Sequence, residues 1–128
     1  WKTGTACVFE DAFRELEPLL EQADAIVFAT PLYWFGFPAQ LKAAIDKLNT
    51  YTVPSCPRSL KIRECALMVC GADDDESSFT AIIENYRSMA RYMNWADRGM
   101  IVVPGVSDKG DIDKTDGVPR AEEMGKGF

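Results

Sequence analysis

Three short, mainly apolar segments punctuate the chain: "AIVFA" at 25–29, "ECALMVC" at 64–70 and "MIVVP" at 100–104. None alternates apolar with polar, so each predicts a strand buried on both faces, as in a parallel sheet. Between the runs, apolar residues recur with a helical period. Residues 11–23 place Phe13, Leu16, Leu19 and Leu20 at that spacing, with Pro18 best suited to a first helical position. "PAQLKAAIDKLN" opens on Pro38 and lines Leu41, Ala44, Ile45 and Leu48 along one side. "FTAIIENYRSMARYMNW" does the same with Phe79, Ile82, Ile83, Tyr86, Met89, Ala90 and Met93, and Gly99 offers a stop. Residues 51–63 hold Pro54 and Pro57 and no clean period, which predicts a connection. A short helix is expected around 119–125 in the glycine-rich tail.

Buried strands alternating with amphipathic helices predict an α/β domain. Right-handed βαβ crossovers then give a mainly parallel sheet with helices on both faces. Three strands make a thin sheet, and one or two more are expected before Trp1. In a parallel sheet every strand ends at the same edge, where ligands of open α/β sheets bind. The loops at 30–37, 71–77 and 105–111 are therefore expected to gather there.

The first of those loops is unusual. "ATPLYWFGFPAQLK" holds Tyr33, Trp34, Phe35 and Phe37 within five positions, where a short polar connection is the rule. Leaving three such rings wet forfeits roughly 1.5–3 kcal/mol each. That is a large share of the ~5–15 kcal/mol stability of a whole domain. A cofactor, a second subunit or a fold-back of the loop is expected to cover them, and one short loop cannot turn four rings inward. Gly36 would either relax a tight turn or admit a ligand. The second loop is expected to supply Gly71 and exposed backbone N–H groups, and the third adds Gly105 and Gly110. Together this equipment suits a planar heteroaromatic ligand.

The run Asp73–Asp74–Asp75–Glu76 precedes a helix, where carboxylates cap free N–H groups and complement the helix dipole. Lys42 and Lys47 read as solvated helix residues. Composition adds exclusions. With 47% hydrophobic and 27% charged residues, the 128-residue chain has a globular balance. A net charge of −6 argues against nucleic acid or an anionic membrane as partner. No apolar run reaches the ~20 residues of a membrane helix. Histidine is absent, which removes Ser–His and Cys–His catalysis within this chain. Cys7, Cys56, Cys65 and Cys70 form no C-x-x-C pair and are expected to be reduced, buried thiols of a cytoplasmic protein. The first residue is Trp1 rather than methionine, which predicts a piece or a processed form.

The stretch "ADAIVFATPLYWFGFPAQLKAAIDK" resembles the flavodoxin-like NAD(P)H-dependent FMN reductases, including their iron–sulfur flavoprotein branch. It has an Ala-Asp pair, an apolar strand, a Thr-Pro-x-Tyr-Trp loop, and a helix with Leu-Lys and Ile-Asp. "ALMVCGAD" and the closing "VPGVSDKGDI…AEEMGKG" are similar to the family too. So is the opening "WKTGTACVFEDAF", which looks like a segment that follows a cysteine cluster in some members. The resemblance spans nearly the whole chain. It implies a flavodoxin-like three-layer sandwich over 1–128, with FMN at the carboxyl edge and NAD(P)H as co-substrate. Thr30, Pro31, Leu32, Tyr33, Trp34, Phe35 and Gly36 would surround the isoalloxazine ring; Gly71, Ala72 and Asp73 would approach its other side. Loop N–H groups would bond the pyrimidine edge, and no catalytic side chain is implied. The family's first strand and Ser/Thr-rich phosphate loop would precede Trp1, as would the iron–sulfur cysteines.

The expected activity is that of an FMN-dependent NAD(P)H oxidoreductase passing hydride to a small-molecule acceptor. A homodimer in which a second copy helps roof the flavin goes with it. Two alternatives stand beside it: a flavodoxin-type carrier of single electrons, and a non-catalytic interaction domain whose aromatic loop docks another chain.

Overall fold

The computed structural model describes residues 4–128. The Trp1 start and the first three residues of the opening segment lie outside the described residues. Helix α1 (Phe13–Gln22) leads into strand β1 (Ala25–Pro31), then α2 (Ala39–Lys47), β2 (Glu64–Cys70), α3 (Thr80–Met93), β3 (Ala96–Val103) and α4 (Gly117–Gly125). The three strands form one parallel sheet in the order β1-β2-β3. This is the α/β architecture that the alternation of apolar runs and helical periods predicts.

The core lies on one face of the sheet. Phe28 of β1 and Cys65, Leu67 and Val69 of β2 meet Ile45 and Leu48 from the α2 end. From the α3 side come Phe79, Ile82, Tyr86 and Ala90, with Trp95 closing the lower end. Leu20 of α1 and Ala23 just beyond it pack against the same cluster. The opposite face carries α4, against β3. Helices thus cover both faces, unequally.

Several boundaries differ from the sequence reading. Pro18 sits inside α1 rather than at its head, so the Arg14 carbonyl lacks its helical donor. The helix starts instead where the Asp11 carboxylate accepts the Phe13 N–H at 3.0 Å. Leu16 and Leu19 are exposed, whereas Glu17 is buried and accepts the Cys7 N–H at 2.9 Å. Helix α3 stops at Asn94, a left-handed residue at φ 55°, and not at Gly99. Gly99 belongs to β3, where φ is +112° and the register slips between Cys65 and Leu67. Arg98 and Gly99 there oppose the single residue Ala66, a bulge on an edge strand. β1 also departs from expectation, because it is not buried on both faces. Val27, Ala29 and Pro31 are exposed, since only the Phe28 side of β1 is covered by helices. All four cysteines are free; Cys7 and Cys65 are buried, but Cys56 and Cys70 only partly.

Candidate functional site

The parallel register brings Pro31, Cys70 and Val103 level at the carboxyl edge. Strand β1 runs two residues further than the apolar run predicts, so Thr30 and Pro31 are strand and the loop begins at Leu32. Short backbone bonds fasten the three connections together. Leu32 N–H donates to the Cys70 carbonyl at 2.6 Å, Gly71 N–H to Val103 at 3.1 Å and Val106 N–H to Gly71 at 2.8 Å. Gly105 N–H donates to Asp73 at 3.1 Å. The loops gather as expected. The Gly71 N–H is spent inside the protein and is not available to a ligand. Gly71 is needed for packing: a Cβ there would lie 3.0 Å from Leu32 Cβ and 3.1 Å from Phe79 Cζ.

The aromatic loop is a two-residue hairpin. Tyr33 and Gly36 exchange backbone bonds, N–H to carbonyl at 3.1 and 3.0 Å. Trp34 and Phe35 fill the two turn positions with φ of 47° and 65°. Such a turn ordinarily takes Asn-Gly, because both residues must be left-handed. Placing bulky side chains there costs about 1–2 kcal/mol per residue. What the strain achieves is display. Trp34 is 93% exposed, Tyr33 63% and Phe35 52%, with the Trp34 and Phe35 rings 5.9 Å apart. Phe37 alone turns inward, 6.0 Å from the Phe28 ring. Gly36 is not the residue that relaxes the turn: its φ is not left-handed, and a Cβ there would meet nothing within 4 Å.

The other expected site residues divide by role. Thr30 is buried, and its hydroxyl donates to the Pro31 carbonyl at 3.0 Å. Leu32 packs on Gly71. These two, with Gly71, hold the edge together beneath the exposed set of Tyr33, Trp34, Phe35, Ala72 and Asp73. The Asp73 carboxylate is already engaged, accepting from Asp75 N–H at 3.0 Å and Ser78 Oγ at 2.6 Å. Those bonds, the Ser78 one foremost, hold its pKa below the usual carboxylate range. Asp75 caps the following turn by accepting from Ser77 N–H and Ser77 Oγ, which lowers its pKa as well. The acidic run therefore serves as the sequence predicts, as a cap.

In the third loop Asp111 accepts from Lys114 Nζ, Asp108 N–H and Ser107 N–H, and its pKa falls to about 2. Gly105, at φ +69°, leaves room for Asp74, whose Oδ1 would lie 2.7 Å from a Cβ. The rim so formed is strongly acidic: Asp73, Asp74, Asp75 and Glu76 on one loop, Asp108, Asp111 and Asp113 on the next. Lys109 and Lys114 are the only cations in these three connections, and Lys114 is paired with Asp111.

One further feature escaped the sequence reading. An apolar groove of about 340 Å³ lies between the sheet and α4, lined by Ala29, Pro31, Met68, Cys70, Val103 and Val118 among others. Its signal was present in the i, i+2 spacing of these positions along the strands. A continuous apolar run hides which alternate set lacks a covering helix.

Against known proteins, the chain is 23% identical over 107 residues to the putative NAD(P)H-dependent FMN-containing oxidoreductase YwqN of Bacillus subtilis. That match covers 80% of this chain and 59% of the relative. It is 32% identical over 97 residues to an FMN-dependent NADH:quinone oxidoreductase of Trichlorobacter lovleyi, covering 65% of the chain and 44% of the relative. The chain thus spans well under two thirds of the length of these relatives. Among solved structures it superposes on the Trp repressor binding protein from Bacillus subtilis with a TM-score of 0.74 at 19% identity. That match covers 91% of this chain and 71% of that one. The family model described as a flavodoxin-like fold matches residues 9–124, nearly the whole chain, and the protein belongs to that family.

Proposed function

We propose that this chain carries the flavin-ring half of an FMN-dependent NAD(P)H oxidoreductase of the flavin- or quinone-reductase type, acting in the cytoplasm as a homodimer. The observation that carries the reading is the strained hairpin at 33–36. Three large rings are displayed outward at the carboxyl edge of a parallel sheet, at a conformational cost the fold itself does not repay. The named activities of the relatives support the same class.

The residues present fit a flavin ring better than a flavin phosphate. Tyr33, Trp34 and Phe35 offer flat apolar surface, and the space above Gly36 is open. The N–H groups of Trp34 and Phe35, at the tip of the turn, would face a polar ring edge; neither takes part in the hairpin's own pair of bonds. The acidic rim, with two lysines, is a poor seat for a phosphate, which oxygen-rich loops repel. FMN, when bound, supplies the transfer of hydride or electrons between nicotinamide and acceptor. The protein's own share is to wall the ring with aromatics, aim backbone donors at its pyrimidine edge and keep one face open. A second copy covering the remaining aromatic surface is part of the proposal. The acidic rim favours one alternative, a carrier delivering single electrons to a basic protein partner.

Titration of the purified protein with FMN, followed by flavin fluorescence and visible absorption, tests the reading. Consumption of NADH and NADPH is then measured with quinones, flavins and nitro compounds as acceptors. Bound flavin and acceptor-dependent oxidation are expected. Bound flavin with no nicotinamide oxidation on any acceptor leaves the carrier, and failure to bind FMN at all removes both.

A further inference from the structure

Net charge is spread very unevenly over this chain. The connections at 71–79 and 104–116 hold eight carboxylates and two lysines, a balance of −6 that equals the net charge of the whole sequence. Elsewhere Lys and Arg match Asp and Glu, twelve against twelve. Both connections leave the carboxyl ends of β2 and β3, away from the β1 edge. They are tied to each other through Gly105 N–H on the Asp73 carbonyl and Val106 N–H on the Gly71 carbonyl. Local bonds keep the charge in place. Serine hydroxyls and backbone N–H groups hold Asp73 and Asp75 below the usual carboxylate range, and Lys114 with two N–H groups does so for Asp111. Among the described residues, the side chains of Asp74, Glu76, Asp108 and Asp113 make no hydrogen bond or ion pair.

The aromatic hairpin stands in that field. Residues 30–37 hold no charge of their own. Trp34 lies two residues beyond Leu32 and Asp73 two beyond Gly71, and Leu32 Cβ is 3.0 Å from where a Gly71 Cβ would be. A backbone reach of about 7 Å on each side keeps rings and carboxylates well inside the ~30 Å Debye length of 0.01 M salt. Rings displayed beside charge of one sign meet small molecules through that potential. The carboxylates are not themselves a binding site; they set the charge of what reaches Tyr33, Trp34 and Phe35. We propose that the acidic rim selects the small-molecule acceptor by charge: uncharged and cationic acceptors reach the displayed rings, and anionic ones are turned away. The inference rests on the flavin reading for calling these molecules acceptors, while the field at the rings is measured without flavin.

The test begins with the flavin-free chain. Trp34, being 93% exposed, reports the field through quenching of its fluorescence by iodide, caesium and uncharged acrylamide, taken as the difference from Trp34→Phe. At about 10 mM ionic strength caesium is expected to quench at least ~3-fold more efficiently than iodide, each scaled to free tryptophan. The two should converge at about 0.5 M salt, with acrylamide unchanged. Asp74→Asn with Glu76→Gln removes two charges from the rim and is expected to narrow the gap. Asp24→Asn with Glu64→Gln removes two from the opposite end of the strands, about 20 Å away, and is expected to narrow it less. The FMN-loaded chain with saturating NADH is then given hexaammineruthenium(III), ferricyanide or menadione. Between about 10 and 300 mM ionic strength, kcat/KM should fall about 10-fold for the cation, rise about 10-fold for the anion and stay level for menadione. Iodide quenching as efficient as that by caesium overturns the inference. So does a gap that the rim variant leaves unmoved, or ferricyanide reduction that slows with salt. A chain that binds no FMN overturns the flavin reading instead, and the quenching result then decides by itself whether the rings exclude anions.

Discussion

Replacing Trp34 and Phe35 together by Asn and Gly separates what the hairpin does for the fold from what it does for a ligand. Both native residues sit at left-handed φ, of 47° and 65°, which costs about 2–4 kcal/mol for the pair. Asn-Gly adopts that turn almost free of strain. Against the gain stands the loss of the ring pair at 5.9 Å, about 0.5–1.5 kcal/mol, and of the partial burial of Phe35. The flavin-free variant is therefore expected to be more stable by about 1–2 kcal/mol, a rise of roughly 4–8 °C in Tm. Affinity for FMN is expected to move the other way, weakening about 10–100-fold as two stacking surfaces vanish. Urea denaturation at 25 °C and thermal melting give the first quantity, and flavin fluorescence gives the second. A less stable variant means the rings support the fold; a stabler variant with undiminished FMN affinity means the strain serves something other than the flavin.

Glycines at the same edge give contrasting outcomes. Gly71→Ala is expected to cost about 1–3 kcal/mol in urea denaturation, since its methyl presses on Leu32 and Phe79. Gly36→Ala meets nothing and is expected to stay within ~0.5 kcal/mol of wild type, while weakening FMN binding if a ring occupies that space. The Asp111 loop has an acid limit. Because its carboxyl titrates lower in the fold than in the unfolded chain, its support is complete above the ordinary value of 3.8. That support fades as pH falls towards about 2. Amide resonances of Ser107 and Asp108 followed by NMR should shift over that window, and Asp111→Asn should show no such step. Asp73→Ala removes acceptors for Asp75 N–H and Ser78 Oγ and is expected to lower the midpoint of urea denaturation.

The alternation of three apolar runs with helical periods was enough to give the parallel α/β sheet, and "ECALMVC" gave β2 to the residue. β2 is the central strand, with neighbours on both edges, so its local pattern and its environment agree. The crowding of rings at 33–37 also pointed to an exposed aromatic surface, because four aromatics in five residues cannot all be buried by so short a loop. Which ring turns inward was not legible: Phe37 rather than Trp34 meets Phe28 because the hairpin closes between Tyr33 and Gly36. No local preference of Trp-Phe announces a left-handed turn; the backbone bonds across the hairpin impose it. In the same way the sequence placed Gly71 in the second loop but did not show that the Val103 carbonyl of β3 takes its N–H. Strand β1 reads as fully buried from its composition, yet burial depends on which layers cover each face, and only the packed structure fixes that. Sequence periodicity sets what a segment can become, whereas the neighbours it meets in space decide which of its groups remain free for chemistry.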